Sequence, residues 1–449
     1  MIKFLMAICR FNFGKFEEKE FRKFFRMGSI FFMLIGIYWT MRPLKDSLFI
    51  QLVGKEYIPY AKTVSLILMI FFVAIYTKIL DFVPKAKLLS IAPPAYFGTI
   101  MFLYAIFIWA FQGGVVQPSV LTAVLGYFWY FFVESFGSII IALFWSFATE
   151  ITKAESAKQG FPLIYTLGQL GGVLFPLIFV KLPFGLKFGS DTLSMSILAT
   201  LTIVVMLLVK NLIRKTPDDM LNPVVKDDSK QKNKDGEKTG FVEGLKLLFT
   251  HKYLLGMFAV NFFFEFIVTV FDFNFKYAAG EVYSGVELTN YLATYSSCVN
   301  VVSLVLLLLG VSNITKKVGI GLALATVPVL FGLAVLGFLT FNELTFLFIL
   351  MIGSKAINYA VSGPALKQLY IPTSKDAKSK SQAWIETFGS RFSKEAGSGV
   401  NMLRPVLGTG TYRLLTSGLG FAFVFLWFFV ALFLGRTYKK AVDANTIVC

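Results

Sequence analysis

Two short segments combine an arginine, a lysine three residues later and then an acid, within otherwise apolar sequence. They are RPLKD at positions 42–46 and RFSKE at positions 391–395. If each segment is helical, the arginine and the lysine share one face, and the acid lies one turn beyond the arginine, within reach of it. A pair of cations on one face is suited to binding anionic oxygens such as those of a phosphate.

Two interpretations of these segments stay open. In the first, Arg42 and Arg391 pair with the acid one turn later, and Lys45 and Lys394 pair with acids on other helices, so that the charges form closed gates. In the second, the two lysines reach into a central aqueous cavity and bind anionic substrate oxygens. A cation at the centre of a membrane helix costs about 2.5 to 3.5 kcal/mol on insertion scales, which makes each lysine a functional candidate.

Single charged residues stand in further apolar segments: Glu134 in WYFFVESFGSIII, Glu265 in NFFFEFIVTVFDF and Lys355 in GSKAINYA. A carboxylate in apolar surroundings either takes up a proton or holds a cation, so both glutamates are candidates for coupling or gating. Thr-Leu-Gly at 166–168 can be aligned with Thr-Phe-Gly at 387–389 by shifting one half of the sequence along the other. The same shift aligns Glu134 with Lys355, and we predict that these two residues pair.

Asp272 and Lys276 are four residues apart near the end of another apolar segment. This spacing predicts a local ion pair on one helix.

Metal, thiol and phosphoryl-enzyme chemistry are not expected. The chain has 1 histidine and 3 cysteines, too few and too scattered for an HExxH or CxxC site. The EKTG at 237–240 has a glutamate where a P-type pump has its aspartyl nucleophile, and no GxxxxGK[ST] loop is present. We therefore predict a protein that is not an enzyme and that has no metal, no cofactor and no catalytic residue.

The candidate residues must be positioned by the helices of a polytopic membrane protein. Of the 449 residues 56% are hydrophobic and only 15% are charged, against about 25% charged in a soluble domain. Apolar stretches of about 20 residues, the length that spans a bilayer, recur along the whole chain.

Twelve candidate spans are predicted. They are 25–48, 60–80, 88–111, 119–148, 161–181, 190–213, 253–275, 288–311, 319–340, 344–366, 384–407 and 412–435. Lysine and arginine are concentrated in the loops on the same side as the N-terminus, which predicts that both termini are cytoplasmic. The net charge of +17 is then mostly a topology signal, and no nucleic-acid partner is expected.

A polar stretch from Arg214 to Gly240 separates two sets of six spans, which look like repeats. Similar segments lead into spans 5 and 11. Span 5 is preceded and begun by TKAESAKQGFPLIYTLGQLGG, and span 11 by SKDAKSKSQAWIETFGSRFSKEAG. In the second segment a helix is predicted to begin at Trp384. Glycines at 168, 171, 172, 389, 397 and 399 should let helices pack closely. Two parallel six-helix halves predict an all-α, major facilitator-like fold. The predicted divisions are a cytoplasmic N-terminal segment 1–24, an N-terminal bundle 25–213, a cytoplasmic linker 214–252, a C-terminal bundle 253–435 and a cytoplasmic tail 436–449.

Four stretches resemble the ATP/ADP translocases of plastids and obligate intracellular bacteria, a family of nucleotide transporters. They are RPLKDSLFI, ESFGSIIIALFWSFATEITKAESAK, NFFFEF and YIPTSKDAKSKSQAWIETFGSRFSK. The resemblance implies that Lys45, Glu134, Glu265 and Lys394 occupy positions like those of the family's transport-critical residues. It also implies a monomeric carrier in the lipid bilayer of a bacterial inner membrane.

Residues and resemblance together predict a carrier that exchanges ATP for ADP by alternating access. The predicted substrate-binding residues are Lys45, Lys394, Arg391, Lys355 and Arg42, and the predicted coupling or gating residues are Glu134 and Glu265. One alternative is a proton-coupled importer of other nucleotides, NAD or another anionic metabolite. Another is a membrane receptor or scaffold. This alternative is disfavoured because the sequence has no sizeable soluble domain and because buried charges are costly.

Overall fold

The computed structural model describes most of the chain. The described residues are 17–111, 119–152, 154–181, 191–216, 246, 248–308, 319–341, 343–358, 362–370, 372–373, 385, 389–444 and 446–448. Most of the predicted N-terminal segment, the greater part of the predicted linker and the predicted helix start at Trp384 lie outside the described residues.

The described residues form helices joined by short turns, with no strand among them, which confirms the all-α class. The helices are α1 (Glu18–Leu52), α2 (Ile58–Phe82), α3 (Lys85–Ala92), α4 (Thr99–Phe111), α5 (Val120–Ser135), α6 (Ile141–Glu150), α7 (Ala154–Pro176), α8 (Asp191–Lys215), α9 (Lys252–Val282), α10 (Gly285–Leu308), α11 (Ile320–Thr340), α12 (Leu344–Ile357), α13 (Gly363–Leu369), α14 (Ser390–Asn401) and α15 (Arg404–Asp443).

π-Helical segments continue three of these helices. Pro93–Gly98 joins α3 to α4, Phe136–Ile140 joins α5 to α6, and Leu177–Lys181 extends α7. In the first segment the prolines lack amide hydrogens, so the regular hydrogen-bond pattern cannot run through them. The chain nevertheless stays helical from Lys85 to Phe111, from Val120 to Glu150 and from Ala154 to Lys181. Glu134 lies at the end of α5, directly before the second π segment, a type of irregularity that is frequent at functional sites.

Eight helical stretches of the described chain are long and apolar enough to cross a membrane, and two shorter apolar helices accompany them. A bilayer core about 30 Å thick requires about 20 apolar residues in helical conformation. In lipid, helices satisfy their own backbone hydrogen bonds, which explains why the apolar segments of the described chain are helical.

One compact unit contains the described residues up to Lys55, from Val64 to Thr216, and from Gly280 to Val301. Its core is formed largely by α1 against α7. A Cβ added at Gly171 of α7 would lie 2.1 Å from the carbonyl oxygen of Phe32 in α1, so only glycine permits this backbone approach. The predicted close packing at Gly171 is confirmed.

The second unit contains residues Glu56–Thr63, the described residues from 246 to Ala279, and those from Val302 onward. Here α11 lies against α15, and a Cβ added at Gly435 would lie 2.3 Å from the Cα of Gly321. In α14, a Cβ at Gly397 would lie 3.0 Å from Thr269 of α9. Gly397 packs as predicted, whereas a Cβ at Gly399 would have no described atom within 4 Å.

The eleventh predicted span, 384–407, ends too late. α14 ends at Asn401, and Arg404 begins α15. Pro405 occupies the first turn of α15, where its missing amide hydrogen costs nothing but where it cannot continue a preceding helix. Gly408 has a φ of 73°, a left-handed value that glycine adopts without strain, and it bends α15 near its start.

Candidate functional site

Lys45 lies in α1 with its side chain buried, and its charge is met by two carboxylates. Its Nζ is 2.5 Å from Oε1 of Glu134 in α5 and 3.7 Å from Oδ1 of the neighbouring Asp46. The two helices are fastened next to this pair because the indole nitrogen of Trp129 donates to the carbonyl oxygen of Leu44 at 3.3 Å. A buried ammonium group is tolerated only when paired in this way.

An aromatic ring supports the same lysine. Lys45 Nζ lies 4.1 Å from the ring centroid of Tyr130, within the range of a cation–π contact. Tyr130 is four residues before Glu134 in α5, so ring and carboxylate share one face of the helix. Tyr130 was not among the candidate residues identified from the sequence. Its spacing from Glu134 was the available signal.

Arg42 lies one turn before Lys45, and its guanidinium is 4.7 Å from the ring centroid of Trp39. Arginine side chains stack readily on aromatic faces. The predicted pairing of Arg42 with Asp46 stays a prediction.

In the other unit, Lys394 of α14 pairs with Glu265 of α9. Lys394 Nζ lies 3.5 Å from Glu265 Oε1, and Ser390 Oγ donates to the same oxygen at 2.9 Å. Ser390 and Lys394 are four residues apart, so α14 presents both to the glutamate from one face. Sequence reasoning did not single out Ser390, although this spacing was visible.

The two lysine–glutamate pairs are alike in composition but opposite in exposure. Lys45 is 4% exposed and Glu134 39%, whereas Lys394 is 50% exposed and Glu265 15%. In each pair one partner is accessible to an incoming polar group. Lys394 therefore presents an exposed ammonium group to an incoming anion, whereas at Lys45 the exposed partner is Glu134, which has to move aside before an anion reaches the lysine.

Glu395, next to Lys394, accepts a hydrogen bond from Thr63 Oγ1 at the beginning of α2. Arg391 lies one turn before Glu395 on α14. Their pairing stays a prediction, as do the substrate-binding roles of Arg391 and Lys355.

The carboxylate of Asp272 in α9 is surrounded by positively charged side chains. Lys276 Nζ lies 2.9 Å from its Oδ2, which confirms the predicted local pair, and Lys62 Nζ of α2 lies 3.2 Å from the same oxygen. Lys355 is close enough to act on Asp272 electrostatically. The predicted pairing of Lys355 with Glu134 stays a prediction, and the described ion-pair partner of Glu134 is Lys45.

Known proteins resemble this chain over nearly its full length. A family model described as TLC ATP/ADP transporter matches residues 6–438. ADP,ATP carrier protein 1 of Rickettsia prowazekii (strain Madrid E) is 24% identical over 482 residues, covering 96% of both chains. The chloroplastic ADP,ATP carrier protein 2 of Arabidopsis thaliana is 25% identical over 445 residues, covering 88% of this chain and 70% of that protein.

Solved transporter structures share the fold. The nucleoside transporter NupG superposes with a TM-score of 0.62 at 13% identity, covering 91% of this chain and 98% of that one. The inward-open xylose transporter XylE from E. coli gives a TM-score of 0.57 at 14% identity, covering 89% and 94%. The fold of this chain is therefore similar to the folds of these two transporters.

Proposed function

The chain belongs to the TLC ATP/ADP transporter family, and on that premise we propose that it is a multi-pass membrane carrier that exchanges ATP for ADP. Carriers named for ADP and ATP match it across nearly its whole length. The substrate class is nucleotide. The resemblance stated from the sequence stretches around 42–50, 134–158 and 370–394 is thereby confirmed.

The observation that carries the proposed mechanism is the pair of lysine–glutamate contacts, Lys45 with Glu134 and Lys394 with Glu265. Phosphate oxygens are acceptors of the same kind as carboxylate oxygens and form charge-assisted hydrogen bonds with ammonium groups. A nucleotide with about three or four negative charges can therefore take the place of the glutamates at the lysines. The site then exchanges one set of counter-charges for another without leaving a cation unpaired in apolar surroundings.

This exchange of partners suits an antiporter. Each lysine has a carboxylate partner when substrate is absent and a phosphate partner when it is bound, so neither state is stabilised to the point of arresting the cycle. Arg42, stacked on Trp39, and Arg391, one turn before Lys394, are proposed to strengthen phosphate binding at their respective lysines.

The finer architecture belongs to the same proposal. We expect twelve membrane spans in two halves joined by the polar linker, with both termini cytoplasmic and the monomer as the working unit. By resemblance, the host membrane is the inner membrane of a bacterium. Labelling single cysteines placed at 220 and 445 from either side of the membrane tests the orientation of the linker and the C-terminus.

Exchange is tested by reconstituting the purified protein into proteoliposomes. Uptake of labelled ATP should require ADP or ATP inside the vesicles and should persist when a protonophore abolishes the pH gradient. Uptake into empty vesicles that collapses with the protonophore would instead identify a proton-coupled importer. A set of other labelled nucleotides and NAD in the same assay defines the specificity.

A further inference from the structure

The beginning of α2 contacts the two helices that carry the Lys394–Glu265 pair. Lys62 Nζ binds Asp272 Oδ2 of α9 at 3.2 Å, and the next residue, Thr63, donates a hydrogen bond to Glu395 of α14. α9 carries Glu265 seven residues before Asp272, and α14 carries Lys394 directly before Glu395. Lys62 and Thr63, which are adjacent in α2, therefore contact both of the helices that carry the Lys394–Glu265 pair.

Each acid that α2 contacts also has a cation one turn away on its own helix. Lys276 binds the same oxygen of Asp272 at 2.9 Å, one turn further along α9. Arg391 precedes Glu395 by one turn of α14, a spacing at which a helical ion pair forms. When α2 moves away, Asp272 and Glu395 each keep a cation of their own helix nearby. The contacts can therefore open without leaving an uncompensated charge in an apolar environment.

The side chains in these contacts are largely shielded but not sealed. Lys62 is 20% exposed and Asp272 is 13% exposed. An ion pair that keeps some contact with water separates at a lower cost than a fully buried one.

We propose that Lys62 and Thr63 are positioning residues that form a latch on α2, closed on Asp272 and Glu395 in this conformation and opened once in every transport cycle. The proposal rests on the proposed transport function. The latch acts through α9 and α14, since closing it holds the helices of Glu265 and Lys394 together, and it need not touch the nucleotide. In the predicted topology it lies toward the external side.

A reversible cross-link tests whether the latch must open. In a chain whose Cys9, Cys298 and Cys449 are replaced by serine, Thr63→Cys and Glu395→Cys are combined and joined with a short bifunctional thiol reagent. Exchange should fall at least tenfold after cross-linking and recover with dithiothreitol, and the two single-cysteine variants given the same treatment should be unaffected. Undiminished exchange by the cross-linked carrier overturns the proposal. A failure of the proposed function appears separately, as lack of exchange by the untreated parent.

A second measurement needs no transport. Thr269 of α9 is 5% exposed and lies against Gly397 of α14, one turn before Asp272. A single cysteine at this position, Thr269→Cys, should react slowly with a membrane-impermeant thiol reagent applied from the external side. Lys62→Gln should raise that rate several-fold because it removes one arm of the latch, and the matched Lys62→Arg should leave it low. An equal rate in the Lys62→Gln background overturns the proposal.

Discussion

Lys45 and Glu134 meet at 2.5 Å with opposite exposures, the lysine 4% and the glutamate 39% exposed. In the second unit Lys394 and Glu265 meet at 3.5 Å with the exposures reversed. The buried partner in each pair depends on the contact for its counter-charge, whereas the accessible partner can be solvated without it. The two pairs should therefore respond differently to the loss of each member.

The first prediction concerns stability. Glu134→Ala leaves the buried ammonium of Lys45 with only Asp46 at 3.7 Å and should destabilise the fold by about 3 kcal/mol, within the range for breaking a buried pair. Lys45→Ala leaves a partly exposed carboxylate and should cost less. For the second pair the order reverses, with Lys394→Ala more damaging than Glu265→Ala. Thermal unfolding of the four variants in detergent measures both orders, and equal losses within each pair would contradict this interpretation of the exposures.

The second prediction concerns Tyr130. Its ring lies under the ammonium of Lys45 at 4.1 Å, and a cation–π contact of this kind contributes about 0.5 to 2 kcal/mol. Tyr130→Leu should raise the KM for ATP about two- to thirtyfold, while Tyr130→Phe, which keeps the ring, should resemble the parent. Initial rates of exchange over a range of ATP concentrations decide the matter. If Leu and Phe variants behave alike, the ring does not act on Lys45.

The third prediction concerns Ser390. Its hydroxyl donates to Glu265 at 2.9 Å, and a hydrogen bond to a charged group is worth about 1.5 to 3 kcal/mol. Ser390→Ala should reduce exchange about tenfold because Glu265 loses a donor that orients it toward Lys394. Ser390→Thr keeps the hydroxyl and should restore most of the rate. Full activity of the alanine variant would show that Lys394 alone positions the glutamate.

The fourth prediction concerns helix packing. Gly171→Ala would place a Cβ 2.1 Å from the backbone oxygen of Phe32, and backbone cannot yield as a flexible side chain can. Overpacking of this kind costs about 1 to 3 kcal/mol, so the variant should unfold at a lower temperature than the parent. Gly353→Ala in α12 is the matched control, since a Cβ there meets no described atom within 4 Å. A drop in both variants would indicate a general intolerance of alanine in these helices.

Much of the candidate site could be predicted from the sequence because charge is conspicuous in apolar segments. Lys45, Glu134, Glu265 and Lys394 were identified this way and by resemblance. The pair Asp272–Lys276 was predicted correctly because both residues lie on one helix, where spacing alone fixes the distance.

Contacts between helices were harder to predict because spacing along one helix does not show which helix it faces. The sequence offset associated Glu134 with Lys355, a pairing that stays a prediction, and it did not indicate that Glu134 lies beside Lys45. Lys62 and Thr63 received no role because they lie near the start of a span, and only tertiary packing brings them to Asp272 and Glu395. The prediction extended span 11 past Asn401 to residue 407, although Pro405 already indicated a new helix start.

The central claim is that Lys45 and Lys394 bind the phosphates of the exchanged nucleotide. The most direct test is ATP uptake into ADP-loaded proteoliposomes by Lys45→Ala and by Lys394→Ala, each shown to be folded by its elution as a monodisperse species. Lys85→Ala is the matched control, because Lys85 forms a similar ion pair with Glu150 at 3.1 Å outside the candidate site. We predict that both site variants lose exchange while the control keeps the parent rate. Normal exchange by either Lys45→Ala or Lys394→Ala would contradict the assignment of that lysine.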